Sequence, residues 1–202
     1  MKCKTLFIFL FIFIIAPLQA KTILVLGDSL SAAYGINTKE GWVNLLNTKL
    51  KKNNFDYRVI NISASGDTTR NGLAKLSSAL KTYQPNIVII QLGANDGLRG
   101  LSLAEMKSNL EKIIQESQNA KAKILLIATK LPPNYGPTYL KKFASVYGDL
   151  ANQYQIPLIP MFLEGVAGDS LLMQKDGLHP NQKAQSKILA NIWPHLQPLL
   201  TS

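Results

Sequence analysis

A chain of 202 residues with 47% hydrophobic and 17% charged residues is globular, not disordered, and suits one domain with a full core. The net charge is +10, but the basic residues are scattered, with no Arg-rich stripe, basic segment interleaved with aromatics or zinc-finger spacing. Composition therefore argues against nucleic acid as a partner and reads the charge mainly as a solvated surface, with peripheral contact with anionic lipid the other use open to it.

The first twenty residues stand apart. Lys2 and Lys4 precede an unbroken apolar run from Leu6 to Ala16, which ends in Pro17 and the small residue Ala20. A run this short, with a basic start and a small-residue exit, reads as a secretory signal peptide cleaved near Ala20; a spanning helix needs about 20 apolar residues. Residues 1–20 are thus expected to direct export to the periplasm or the medium, leaving residues 21–202 as one domain of charge +8. The single cysteine, Cys3, falls in the leader, so the exported chain has no disulfide and no thiolate chemistry.

From there short apolar runs alternate with segments of helical period. Residues 22–26 predict a buried strand and 41–50 a helix with Trp42, Leu45, Leu46 and Leu50 on one side. A second strand at 57–62 and a helix carrying Leu73, Leu76 and Leu80 follow. The most apolar run, 86–92, predicts a strand at the sheet centre. Leu103, Met106, Leu110, Ile113 and Ile114 mark the next helix, 123–128 the fourth strand, and 131–136 a Pro-rich loop. A helix through Phe143, Val146 and Leu150 leads to a short strand at 157–159. A final helix is expected over 182–196, its end set near Pro194. This alternation implies a parallel sheet covered on both faces, with strand C-termini on one edge, where ligand sites of such folds lie.

Three polar clusters follow the first three strands: Gly27-Asp28-Ser29, Gly66-Asp67 and Asn95-Asp96. They should meet at that edge. Acyl transfer needs a nucleophile, a base, a group to orient the base and donors for the oxyanion. Ser29, expected at a strand-to-helix turn, offers a hydroxyl and a backbone N–H; Gly66 offers an unhindered backbone N–H; Asn95 offers a side-chain amide. Late in the chain Asp176 and His179 have the spacing for a carboxylate to fix an imidazole tautomer. Taken singly, each is an ordinary helix cap or turn signal, and the second histidine, His195, reads as a surface residue. The ordered set carries the weight.

That set resembles the SGNH/GDSL hydrolase superfamily. Gly27-Asp28-Ser29-Leu30 is similar to its GDSL block, and Ser29, Gly66, Asn95 and His179 match the four residues that name it. Asp176 stands at the acid position of its D-x-x-H block. Within the superfamily the chain resembles the bacterial periplasmic thioesterase, arylesterase and lysophospholipase group, from about Thr22 through the last helix. The resemblance implies a flavodoxin-like three-layer α/β/α sandwich with a five-stranded parallel sheet and no metal or organic cofactor. It implies an acyl-enzyme on Ser29, with small-molecule acyl esters, thioesters or lysophospholipids as substrates. The Ser29 N–H, the Gly66 N–H and Asn95 are then the oxyanion donors. The segment 97–102, with Gly97 and Leu98, then resembles a mobile loop over the acyl site, and Leu131 and Pro132 part of the acyl-binding wall. The chain departs from the pattern at Ala94, where relatives commonly carry a second glycine, and at Pro133. The competing readings are a carbohydrate acetylesterase on the same residues, a metal-dependent hydrolase using Asp28, Asp67, Asp96, Asp176 and His179, and a non-catalytic envelope binding protein.

Overall fold

The computed structural model describes residues 20–201. The expected signal peptide, Ala20 apart, lies outside the described residues. Five parallel strands, β1 (Lys21–Gly27), β2 (Tyr57–Asn61), β3 (Ile87–Gln91), β4 (Lys123–Ile127) and β5 (Leu158–Ile159), form one sheet in the order β2-β1-β3-β4-β5. From β1 the chain moves outward to β2, then returns past β1 to build the rest of the sheet on the other side. Strand order therefore reverses at β1 and β3, and the crevice beyond their C-terminal ends is where open α/β sheets bind ligands.

The strands alternate faces, and the alternation sorts the core into two layers. Ile23, Val25, Ile87, Ile89, Leu125 and Ile127 point to one side, where α1 (Trp42–Lys52) and α6 (Gln185–Thr201) cover them with Trp42, Leu46, Leu50, Ile188, Ile192 and Leu196. Leu24, Leu26, Val88, Ile90, Ile124 and Leu126 point to the other, against α2 (Thr69–Tyr83), α4 (Leu103–Asn119) and α5 (Pro137–Tyr154). All the strand residues named are almost fully buried, as the apolar runs require. Among the described residues no helix is long and apolar enough to cross a membrane.

Three local departures from the expected elements have physical causes. No regular helix follows β1: Ser31 and Ala32 N–H both bond the Asp28 carbonyl, then Ala33 (φ 60°) and Gly35 (φ 73°) break the coil, and α1 starts only at Trp42. Residues 97 and 98 belong to a one-turn helix, α3 (Ala94–Leu98), which begins where Gly93 takes φ 112°. The last helix runs past its expected end to Thr201, through Pro194 and Pro198. Those two prolines lie four residues apart on the exposed face, while Ile192, Leu196 and Leu200 anchor the inner face.

The turn from β3 into α3 is fixed from outside. Tyr147 of α5, fully buried, donates its hydroxyl to the Leu92 carbonyl at 2.9 Å, and a Cβ on Gly93 would lie 2.3 Å from that oxygen. Burial holds the Tyr147 hydroxyl pKa well above its ordinary value, so it stays a donor. Tyr147→Phe leaves a buried carbonyl without its partner and should lower the unfolding free energy by about 1–3 kcal/mol, read from urea denaturation. An unchanged denaturation midpoint would show that the Leu92 carbonyl does not depend on this bond.

Candidate active site

The turn after β1 starts from a buried carboxylate. Asp28, fully buried, accepts the Leu30 N–H at 3.0 Å and the Gln91 side-chain amide at 3.0 Å, both on Oδ1. Gln91 Oε1 accepts the Ser31 hydroxyl at 2.6 Å, and the Asn61 amide donates to the Ser31 carbonyl at 2.8 Å. Residues at the ends of β1, β2 and β3 thus hold the turn that presents Ser29. Gly27, in register with Gln91, allows this: a Cβ there would meet Ser31 at 2.8 Å and Gln91 at 2.9 Å.

The turns that carry Asn95 and Gly66 are tied to one another. The Asn95 amide donates to the Asp67 carbonyl at 2.9 Å, and the Arg99 guanidinium donates to the Gly66 carbonyl at 2.9 Å. Gly66 takes φ 82°, which a side chain would strain. Among the described residues, neither the Ser29 N–H nor the Gly66 N–H meets an acceptor. The neighbouring acids are engaged elsewhere: Asp67 pairs with Lys75, and Asp96 accepts both the N–H and the hydroxyl of Thr69, at 2.9 and 2.6 Å, at the start of α2. Among the described residues no three His, Cys, Asp or Glu side chains are grouped to hold a metal ion.

His179 arrives from the other end of the chain, on an irregular segment before α6. Its Nε2 lies 2.9 Å from Ser29 Oγ and its Nδ1 lies 2.7 Å from Asp176 Oδ2. Asp176 Oδ1 accepts the backbone N–H groups of Leu178 and His179, at 2.9 and 3.0 Å. Partial burial works against the Asp176 charge, but these N–H bonds and the His179 ring outweigh it and bring the carboxyl down to about pKa 2. An ionised Asp176 takes the proton side of Nδ1, which leaves the lone pair of Nε2 facing the serine hydroxyl.

These groups open onto a cavity of about 500 Å³ with a mainly apolar lining. Ser29, Asn95 and His179 border it, with Leu98, Leu131 and Pro132 on one side and Leu163, Ala167 and Met173 on the other. Gly66 does not border it, and Gly97 is buried behind it, where an added Cβ would meet Leu131 and Phe143 at 2.7 Å. A cavity of that size and lining has room for a largely apolar small molecule.

The GDSL-like lipase/acylhydrolase family model matches residues 25–187, the stretch that spans all of these residues. The chain belongs to that family. It is 50% identical over 181 residues to Esterase TesA of Pseudomonas aeruginosa, covering 90% of each chain. It is 41% identical over 194 residues to Thioesterase 1/protease 1/lysophospholipase L1 of Escherichia coli, covering 96% of this chain and 92% of the relative. The crystal structure of the psychrotrophic esterase EstA from Pseudoalteromonas sp., inhibited by monoethylphosphonate, superposes with a TM-score of 0.86 at 43% identity, covering 90% of this chain and 100% of that one. As a member of the family, with the parallel α/β sheet of its structural relatives, the protein is an ester hydrolase.

Sequence reasoning did not single out Gln91, Ser31 or the 163–173 wall of the cavity. Gln91 left a signal: it is the one polar residue in β3. The wall left none, because an irregular segment has no period to read.

Asp28 gives this GDSL-family site a pH signature. Burial pushes its carboxyl up to about pKa 6, against the Leu30 N–H and the Gln91 amide; its Oδ2 has no partner among the described residues. A folded pKa above the unfolded value of about 4 means that the folded state holds a proton the unfolded state releases. Ionisation of Asp28 therefore takes nothing from stability below pH 4 and lowers it by about 3 kcal/mol as pH rises from about 4 to about 6. In Asp28→Asn that fall should vanish from urea denaturation curves taken between pH 4 and pH 7. A variant whose stability tracks the wild type across that range would exclude Asp28 as the titrating group.

Proposed function

We propose that Ser29 is the nucleophile of a two-step acyl transfer, His179 its general base and then acid, and Asp176 the group that orients the imidazole. The reading rests on one observation: Oγ, Nε2, Nδ1 and the Asp176 carboxylate form an unbroken hydrogen-bonded line at the mouth of an apolar cavity. His179 takes the hydroxyl proton as Oγ attacks the acyl carbonyl, and Asp176 stabilises the imidazolium that forms. His179 then gives the proton to the leaving alcohol or thiol, and in the second half activates water against the acyl-enzyme.

The oxyanion donors are the Ser29 N–H, the Gly66 N–H and Asn95 Nδ2, whose second hydrogen remains after its bond to Asp67. The two backbone donors carry no competing bond among the described residues, which suits donors kept ready for developing charge. Leu98, Leu131, Pro132, Leu163 and Met173 surround the acyl chain.

The substrates are carboxylic esters and thioesters of medium to long acyl groups, including aryl esters and lysophospholipids; the apolar lining favours these over acetylated sugars. The exported enzyme is residues 21–202, released near Ala20 into the periplasm, where it meets lipid-derived esters.

A fluorophosphonate probe should label the wild-type chain and leave Ser29→Ala unlabelled. Asn95→Ala should lower kcat about a hundredfold to a thousandfold, with the thermal midpoint little changed. In an acyl-length series, kcat/KM should rise from acetyl to longer aryl esters and thioesters. Labelled Ser29→Ala, full turnover in Asn95→Ala, or a preference for acetylated sugars would each overturn the corresponding part.

A further inference from the structure

We propose that Gln174 is a positioning residue, a clamp that holds the backbone of the Ser29 turn against the backbone of the His179 turn and so sets the approach of hydroxyl to imidazole. The proposal rests on the Ser29–His179 reading above. The two turns come from opposite ends of the chain. One is anchored in β1; the other lies in the irregular stretch after β5, whose own ladder is a single bridge between Met173 and Pro180.

Gln174 joins them with every donor it has. Its Nε2 donates to the Tyr34 carbonyl at 2.7 Å and to the Pro180 carbonyl at 3.1 Å, and its backbone N–H donates to the His179 carbonyl at 2.7 Å. Tyr34 in turn donates its N–H to the Ser29 carbonyl at 3.2 Å. The bonds close a ring: Ser29 carbonyl, Tyr34, the Gln174 side chain, the Gln174 N–H, His179, and back through Nε2 to Ser29 Oγ. The Tyr34 ring packs on the imidazole, centroids 4.5 Å apart, on the same side of the closure.

The residue type fits the task. Two carbonyl acceptors need two N–H donors, which a neutral amide supplies. A glutamate would set an acceptor against acceptors, and an asparagine is one methylene short. Gly35 completes the fit. It takes φ 73°, and a Cβ there would sit 2.2 Å from Gln174 Oε1, so only a bare backbone lets the amide reach the Tyr34 carbonyl. Gln174 does not border the acyl cavity, so its effect on substrate runs through alignment and not through binding.

Gln174→Met in the full chain removes both side-chain donors and keeps the length. On a short, water-soluble aryl ester, kcat should fall about tenfold to a hundredfold while KM stays within about twofold, because misplacement of a reacting pair by an ångström has that effect. The rate of fluorophosphonate labelling should fall by the same factor, since it depends on the Ser29–His179 alignment and not on release of the acyl group. Gly35→Ala displaces the amide from the other side and should give the same split. The double variant should be no slower than the slower single one, because both open one clamp. Should Gln174→Met yield no folded protein, Gln174→Asn is read by the same two rates.

A kcat within about twofold of wild type, a change in KM alone, or a double variant slowed by the product of the two single effects would overturn the clamp. So would a loss of kcat that only follows the unfolded fraction in a thermal melt. Ser29→Ala, run beside them, separates the failures: an inactive Ser29→Ala with an unaffected Gln174→Met defeats the clamp alone. A fully active Ser29→Ala removes the serine mechanism and the clamp with it.

Discussion

Ser29 and His179 are 150 positions apart in the chain, yet 2.9 Å separates the hydroxyl oxygen from the imidazole Nε2. That contact depends on where β1 sits. With β2 on one side and β3 on the other, the C-terminal end of β1 opens into the crevice at which strand order reverses. Asp28 and Ser29 leave the sheet there, the Gly66 turn follows β2 at one flank, and Asn95 follows β3 at the other. A sheet that placed β1 at an edge would give the serine only one neighbouring strand end from which to draw partners.

Two aspartates near the serine show how environment divides one residue type into opposite tasks. Asp176 is partly exposed and gathers two backbone N–H groups and an imidazole, so it remains charged well into acid. Asp28 is sealed beneath the turn, with one oxygen unpartnered among the described residues, so its charge is destabilised. The first holds the His179 ring by its Nδ1. The second anchors a turn through Oδ1 whether or not it carries a proton, because that oxygen accepts from Leu30 and Gln91 in either state. A costly buried group is thus kept where three strand ends converge on the Ser29 turn.

How much of this was legible follows from periodicity. Five apolar runs bounded by turn residues fixed the strands to within a residue or two, and with them the shared edge that gathers Ser29, Gly66 and Asn95. The D-x-x-H spacing showed the Asp176–His179 pair, because a three-residue reach is local. Local rules failed where tertiary contacts decide. Pro194 would stop an isolated helix, but a buried face of leucine and isoleucine carries α6 through it. Asn95 to Leu98 read as turn and loop because α3 owes its start to Gly93 at φ 112° and to a tyrosine 55 residues away. Gln91 and Gln174 were passed over because an amide's task depends wholly on the carbonyls and hydroxyls brought to it from elsewhere in the chain.

The two walls of the cavity are held by different means. On one side, the hydroxyls of Tyr135 and Tyr139 donate to the carbonyls of Leu98 and Gly97, at 2.8 and 3.1 Å, tying α3 to the start of α5 and so to the packed helical layer. On the other, the segment from Leu163 to Pro180 has no strand and no long helix, and side-chain amides take the place of a ladder. Asn181 donates to the carbonyls of Leu171 and Met173, at 2.9 and 3.2 Å, and Gln174 to those of Tyr34 and Pro180. Where no sheet supplies donors, backbone carbonyls take them from side chains. An irregular segment whose carbonyls are met by a few amides thus holds His179 within hydrogen-bonding distance of Ser29. It also leaves the lining residues between those points free of the pleat.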